Sequence, residues 1–236
     1  MGVNLKEMAA AKAVELIQSG MVLGLGTGST TNYAIQMIGE RVRHGRLRDI
    51  AGVPTSNATA RLATQAGIPL TTLLEHPLLD LTIDGADEVD PQLNMIKGQG
   101  GALLREKIVA RATRREVIIV DESKLVPVLG TRSPLAVEVI AFGWGSYDQA
   151  LRSLGCKPVL RMAGAEPFRT DEGNYLLDCD FERIEDAARL EYQLNLIPGV
   201  VENGLFVQLA ALVLVASEAG VRELRPHSTP ATAAQA

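Results

Sequence analysis

Short apolar runs alternate with helix-patterned stretches throughout the first half of the chain. That rhythm dictates a parallel sheet, because parallel strands need long crossover connections to return to the same edge. "AAAKAVELIQSG" (9–20) reads as a helix closed by Gly20, "MVLGLG" (21–26) as a buried strand, and "STTNYAIQMIGERV" (29–42) as a helix opened by hydroxyl caps. "NATARLATQAG" (57–67) is a helix stopped by Gly67, "LLDLTIDG" (78–85) a strand, "ALLREKIVARAT" (102–113) a helix and "EVIIVDES" (116–123) a strand. Each polar motif therefore falls just after a strand, at the carboxyl edge where open parallel sheets bind ligands.

From about Pro134 the order changes to β, α, β, β, α, β: "LAVEVIAF", "SYDQALRSLG", "KPVLRM", "NYLLDCDF", "RIEDAARLEYQLNLIP" and "VVENGLF". This is the split ferredoxin-like arrangement. "AALVLVAS" (210–217) then returns a strand to the first unit. The expected fold class is α/β, a mostly parallel Rossmann-like sheet flanked by helices, with a smaller α+β ferredoxin-like domain. Residues 1–132 plus 206–225 form the first domain and 133–205 the second, and the Pro-, Ala- and Thr-rich tail 226–236 is expected to be disordered.

Three motifs sit at the carboxyl edge. "GLGTGSTT" (24–31) joins a strand to a helix with glycines that turn backbone N–H groups toward an anion, hydroxyls that donate to it, and a helix N-terminus. It fits a phosphate cradle, but neither the dinucleotide fingerprint, since Ser29 takes the third glycine position, nor the P-loop, which ends GK[ST]. A plain capped turn is the alternative. "TIDGADEVD" (82–90) places Asp84 and Asp87 around a Gly-Ala turn, either to bind sugar hydroxyls or a metal or to cap the turn; an EF-hand is excluded by the spacing. Lys97 follows with "GQGG", and then a helix carries Glu106 among Ala102, Leu103, Val109 and Ala110, while Arg105, Lys107 and Arg111 fall to the sides. A carboxylate on an apolar stripe has the raised pKa that a general base needs near neutrality, unless it reaches out at the sheet edge or pairs with a cation. "DESK" (121–124) adds Lys124 at the same edge.

The net charge of −5 and the absence of a basic stripe with aromatics exclude nucleic-acid binding, and the nearest candidate, "RVRHGRLR" (41–48), reads as a solvated helix end. No apolar stretch is long enough for a membrane span, and MGVNLK carries Lys6 where a myristoylation signal needs Ser or Thr. Cys156 and Cys179 lack a CxxC and are expected as core residues in a reducing cytoplasm; His44, His76 and His227 are scattered, so no metal is expected.

Taken together, "GLGTGST", "DGADE", "KGQGGALLREK", "DESK", "LAVEVIAFGW" and "IPGVVENGLF", in that order, resemble ribose-5-phosphate isomerase of type A over nearly the whole chain. The resemblance implies interconversion of ribose 5-phosphate and ribulose 5-phosphate through an enediolate, without cofactor or metal. It implies Glu106 as the base, Asp84 and Asp87 at the sugar hydroxyls and Lys97 at the oxyanion. Lys6, Thr27, Gly28, Ser29, Thr30 and Lys124 would bind the substrate and its phosphate, with Gly85, Ala86, Gly98, Gln99 and Gly100 lining the rest. A homodimer or homotetramer is implied as well. Gln99 stands where the family has glycine, so it either narrows the lysine loop or adds a hydrogen bond, and "ASEAG" replaces a "GTPDG"-like turn. The fold alone would also suit a non-catalytic sugar-phosphate sensor, a sugar-phosphate deaminase or an acyl-coenzyme A transferase. A sensor is expected to carry a DNA-binding helix-turn-helix ahead of the fold, where about twenty residues precede the first strand; a deaminase is expected to use a histidine, and none lies in these motifs.

Overall fold

The computed structural model describes residues 3–226; the predicted disordered tail lies outside the described residues but for its first residue. The chain opens with helix α1 (Leu5–Val14), whose N-cap Asn4 accepts from the Glu7 N–H at 3.3 Å. The expected helix began at Ala9 and ran to Gly20. It starts earlier because Asn4 caps it and Glu7 favours the first turn, and it ends earlier in tightened i→i−3 turns at Leu16 and Ile17. Strand β1 (Val22–Leu25), helix α2 (Ser29–Arg43), strand β2 (Ala51–Pro54), helix α3 (Asn57–Ala66) and strand β3 (Leu81–Asp84) follow. α3 is closed at both ends by its own sequence. Ser56 accepts from the Thr59 N–H at 3.0 Å, and Gly67 ends the helix in a left-handed conformation.

After β3 the chain makes a small hairpin, β4 (Glu88–Val89) and β5 (Met95–Ile96), before α4 (Leu103–Arg111) and β6 (Glu116–Asp121). Much later β14 (Leu212–Ser217) inserts beside β6, and β15 (Gly220–Leu224) folds back on it. The resulting six-stranded sheet has the order β15-β14-β6-β3-β1-β2, parallel throughout except for β15 at its edge. The mostly parallel class follows as expected. Alternate residues of β6 and β14 supply two cores. Val117, Ile119, Leu212 and Leu214 pack with α1 and α2, while Ile118, Val120, Val213 and Val215 pack with Ala110 of α4.

The second unit contains β7 (Leu135–Val139), α5 (Tyr147–Ser153), β8 (Lys157–Leu160), the short pair β9 (Met162–Ala163) and β10 (Glu166–Pro167), β11 (Tyr175–Asp180), α6 (Ala187–Asn195) and β12 (Val200–Asn203). Its antiparallel sheet has the order β12-β7-β11-β8, the ferredoxin-like order. Leu135, Val137, Val139, Leu151, Leu190 and Leu194 form its core together with the unpaired, buried Cys156 and Cys179. "VVENGLF" is not the single strand expected. It breaks at Gly204, where a Cβ would stand 2.1 Å from the Lys97 carbonyl, and β13 (Leu205–Phe206) pairs instead with β5.

In the large sheet β1 leads through α2 outward to β2, whereas β3 leads the other way to β6. Adjacent strands whose connections diverge leave a crevice at their carboxyl ends. The loops after β1 and β3, which carry the first two motifs, meet there.

Candidate active site

The crevice holds a cavity of about 240 Å³ lined by Lys6, residues 27–31 at the start of α2, Gly85, Ala86, Asp87, the 97–100 loop, Glu106 and Lys124. Every candidate residue read from the sequence lies on it except Asp84, which is fully buried beneath. At one end the 15-residue α2 presents its N-terminus with no side-chain cap, behind Gly28 at φ +136°. Lys6, in the first turn of α1, donates to Ser29 Oγ at 2.9 Å. Free N–H groups, two hydroxyls and an ammonium make this end an anion site. The Thr27 hydroxyl plays no part in it. It is engaged with Thr55, Ser56 and Thr59 at 2.8, 2.8 and 3.0 Å, so its side chain fastens the loop to α3.

The other end is built by the hairpin. Asp90 accepts from the N–H groups of Gln92 and Asn94 at 2.9 and 2.8 Å, closing the turn that returns the chain along β4. Lys97 thereby arrives with its ammonium 3.0 Å from Asp84 Oδ2, 3.5 Å from Glu106 Oε2 and 2.5 Å from the Gly85 carbonyl. Asp84 Oδ1 accepts from the N–H groups of Gly85 and Thr27 at 2.7 and 3.2 Å, tying together the loops after β1 and β3. Gly26 makes that approach possible, since a Cβ there would lie 2.2 Å from Asp84 Oδ1. Asp87 faces the cavity and accepts from the Gln99 N–H at 3.0 Å. Of the two outcomes open for Gln99, the added hydrogen bond is found: its amide donates to Ser133 Oγ at 3.0 Å.

Glu106 is 4% exposed, as its apolar face required. Burial, then the charge of Asp84, push its carboxyl up to about 8, against the pull of Lys97. Burial also raises Asp84, opposed by Lys97 and the two N–H donors. Burial alone would depress Lys97, but Asp84 and Glu106 more than offset it, and the ammonium stays charged. The arrangement is a fixed cation beside a carboxyl poised to exchange a proton near neutrality, both facing a cavity with an anion site at its far end.

Three features were not anticipated. Glu116, at the start of β6, is 3% exposed, and its Oε2 has no hydrogen-bond partner among the described residues. Burial, then Asp84, hold it well above its ordinary value. Lys107, expected to the side of α4, is instead 2% exposed and bonded to Glu191 at 3.0 Å and Glu202 at 2.7 Å. Those partners belong to α6 and β12, far along the chain, and no local pattern announces them. Arg161, in the second unit, reaches the lysine loop, donating to the Gly98 carbonyl at 2.8 Å and the Gln99 carbonyl at 3.2 Å.

The family described as "Ribose 5-phosphate isomerase A (phosphoriboisomerase A)" matches residues 51–220. Ribose-5-phosphate isomerase A of Chloroflexus aurantiacus is 55% identical over 93% of this chain and 92% of its own length. That of Gloeobacter violaceus is 54% identical over 96% and 98%. A solved structure of D-ribose-5-phosphate isomerase in complex with phospho-erythronic acid superposes with a TM-score of 0.93 at 43% identity, covering 95% of this chain and 100% of that one. The Methanocaldococcus jannaschii ribose 5-phosphate isomerase A structure gives 0.89 at 44%, covering 94% and 98%.

Proposed function

The chain belongs to the ribose 5-phosphate isomerase A family and is a ribose-5-phosphate isomerase; from that premise we propose that it interconverts ribose 5-phosphate and ribulose 5-phosphate by proton transfer through an enediolate, without a metal. The observation that carries the reading is the Glu106–Lys97 pair on the cavity wall, a carboxyl raised to about 8 with a fixed ammonium 3.5 Å away.

The substrate binds with its phosphate at the N-terminus of α2, held by Lys6, Gly28, Ser29, Thr30 and Lys124. Its open-chain aldehyde end then lies toward Lys97. Ionised Glu106 removes the proton from C2; the electrons form the C1–C2 double bond, and the aldehyde oxygen becomes an enediolate oxygen facing the Lys97 ammonium. Glu106 returns the proton to C1, the O2 proton passes to O1, and the C2 ketone forms. No atom is gained or lost. A carboxyl with a raised pKa is a stronger base than an ordinary glutamate, and the ammonium is in place before charge develops. Asp87, on the cavity wall, takes the sugar hydroxyls and their proton. Asp84 acts from beneath by holding Lys97 and the backbone N–H groups of Thr27 and Gly85. The wider reading places the enzyme in the cytoplasm, in the non-oxidative pentose phosphate pathway, as a homodimer or homotetramer; the family resemblance supports these.

The test is ketose formation from ribose 5-phosphate in excess EDTA, with Glu106→Gln alongside. Wild-type turnover should persist, and the mutant should lose at least about a thousandfold in kcat with KM little changed. Because the free base must be ionised, wild-type kcat/KM should climb with pH and level off near the Glu106 value of about 8. A chelator-sensitive rate restored by a divalent ion, or a mutant retaining a tenth of the activity, would remove the mechanism.

A further inference from the structure

The lysine loop is gripped from the second unit, and the grip has a direction. Arg161 follows β8, and its guanidinium forms a two-pronged pair with Asp178 of β11, including an Nε–Oδ2 bond of 2.9 Å. The Phe168 ring lies 5.9 Å from the guanidinium carbon and packs on Gly101, where a Cβ would come within 2.5 Å of it. From that anchored position Arg161 Nη1 donates to two successive carbonyls, those of Gly98 and Gln99. In a trans peptide the N–H points opposite to the C=O, and this chain has no cis bonds among the described residues. The Gly98–Gln99 peptide obeys the rule visibly, with its carbonyl on Arg161 and its N–H on Asp87. By the same rule the Gln99–Gly100 peptide, its carbonyl on Arg161, aims the Gly100 N–H away from Arg161. Gly100 lines the cavity next to Thr27, whose methyl would lie 3.8 Å from a Cβ at Gly100, and no protein acceptor takes its N–H among the described residues.

We propose that Arg161 is a positioning residue for the isomerisation, which holds two carbonyls of the lysine loop so that the Gly100 N–H is presented to the sugar oxygens beside Lys97. The inference rests on the reaction proposed above. Arg161 never touches substrate; it fixes the plane of a peptide whose N–H does. An N–H set in advance toward an oxygen that becomes negative stabilises the enediolate more than the bound sugar, so the effect falls on kcat.

Arg161→Ala, Arg161→Lys and Asp178→Asn are assayed beside the wild type for kcat, KM and thermal midpoint. Arg161→Ala should lower kcat about tenfold to a hundredfold, the range of a misaimed oxyanion donor, with KM raised by no more than about threefold. Added guanidinium at millimolar concentration should restore at least a few-fold of that loss, and Arg161→Lys, which offers a point charge without the fork, should retain more activity than the alanine variant. Asp178→Asn keeps the carbonyl bonds but loosens the anchor, and should cost less kcat than Arg161→Ala. Unchanged kcat in Arg161→Ala, or a loss that neither lysine nor guanidinium relieves, would overturn the proposal. Should Arg161→Ala fail to fold, unchanged kcat in both remaining variants would do the same. An inert wild type would instead sink the proposed reaction. The grip is then read from ribose 5-phosphate affinity by calorimetry, which the arginine variants should weaken about twofold to threefold, and whose constancy would overturn it.

Discussion

At the scale of single residues, the site concentrates cost. Asp84, Lys97, Glu106 and Glu116 are all 4% exposed or less, and one ammonium is shared between Asp84 and Glu106. Glu116 Oε2 has no hydrogen-bond partner among the described residues, and burial and the charge of Asp84 outweigh the pull of Lys97 toward ionisation. Its folded pKa is raised, so the sign of its effect follows. In acid both folded and unfolded chains hold the proton, and a glutamine there is nearly equivalent. Above about pH 4.5 the unfolded chain sheds it while the folded protein does not, so stability drains away with rising pH until the folded value is passed. Glu116→Gln should therefore raise the thermal midpoint by a few degrees at about pH 8 and by much less at about pH 5. Scanning calorimetry at the two pH values reads it, and a pH-independent shift would mean that Glu116 is ionised in the folded protein.

Among the elements, α4 carries the most opposed demands. One side gives Glu106 to the cavity, while the adjacent Lys107 lies buried against Glu191 and Glu202, its ammonium 5.1 Å from the centre of the Phe206 ring. Lys97 approaches the same ring at 5.4 Å, so a single aromatic side chain of β13 serves both cations. Lys107→Met should destabilise the protein by about 3 kcal/mol, because it leaves two neighbouring carboxylates without their cation. Adding Glu191→Gln and Glu202→Gln should recover most of the loss in urea unfolding; no recovery would assign the loss to packing. This helix also marks the limit of what the sequence discloses. The periodicity around Glu106 was legible because a helix face is a local matter, and the glycine and aspartate motifs and Lys124 were legible because each follows a strand of the large sheet. Lys107, Glu116 and Arg161 were not, because their meaning lies in partners that the chain supplies far away or, for Glu116, in the lack of one. The short strands β4 and β5 escaped notice for a similar reason: two residues make no pattern, and only their pairing defines them.

For the molecule as a whole, the crevice between β1 and β3 is framed by the large sheet below and the second unit beside it. Gln99 and Arg161 tie the lysine loop to that unit through Ser133 and Asp178. The chain finishes this frame late. The Lys97 N–H is received by the Gly204 carbonyl at 2.9 Å, β5 has β13 as its neighbour, and the edge of β6 that faces away from β3 is covered by β14. A polypeptide emerging from the ribosome thus carries all its catalytic side chains by Lys124, yet the backbone partners that fix the Lys97 segment, the Gly204 carbonyl and β13, come only with residues 204–206. The half-made chain exposes a bare, apolar β6 edge, of the kind that invites wrong pairing. A stalled nascent chain ending at residue 200 should bind no ribose 5-phosphate and should recruit chaperones, whereas one ending at residue 226 and clear of the exit tunnel should bind it. Birth order thereby makes activity the last property that the chain acquires.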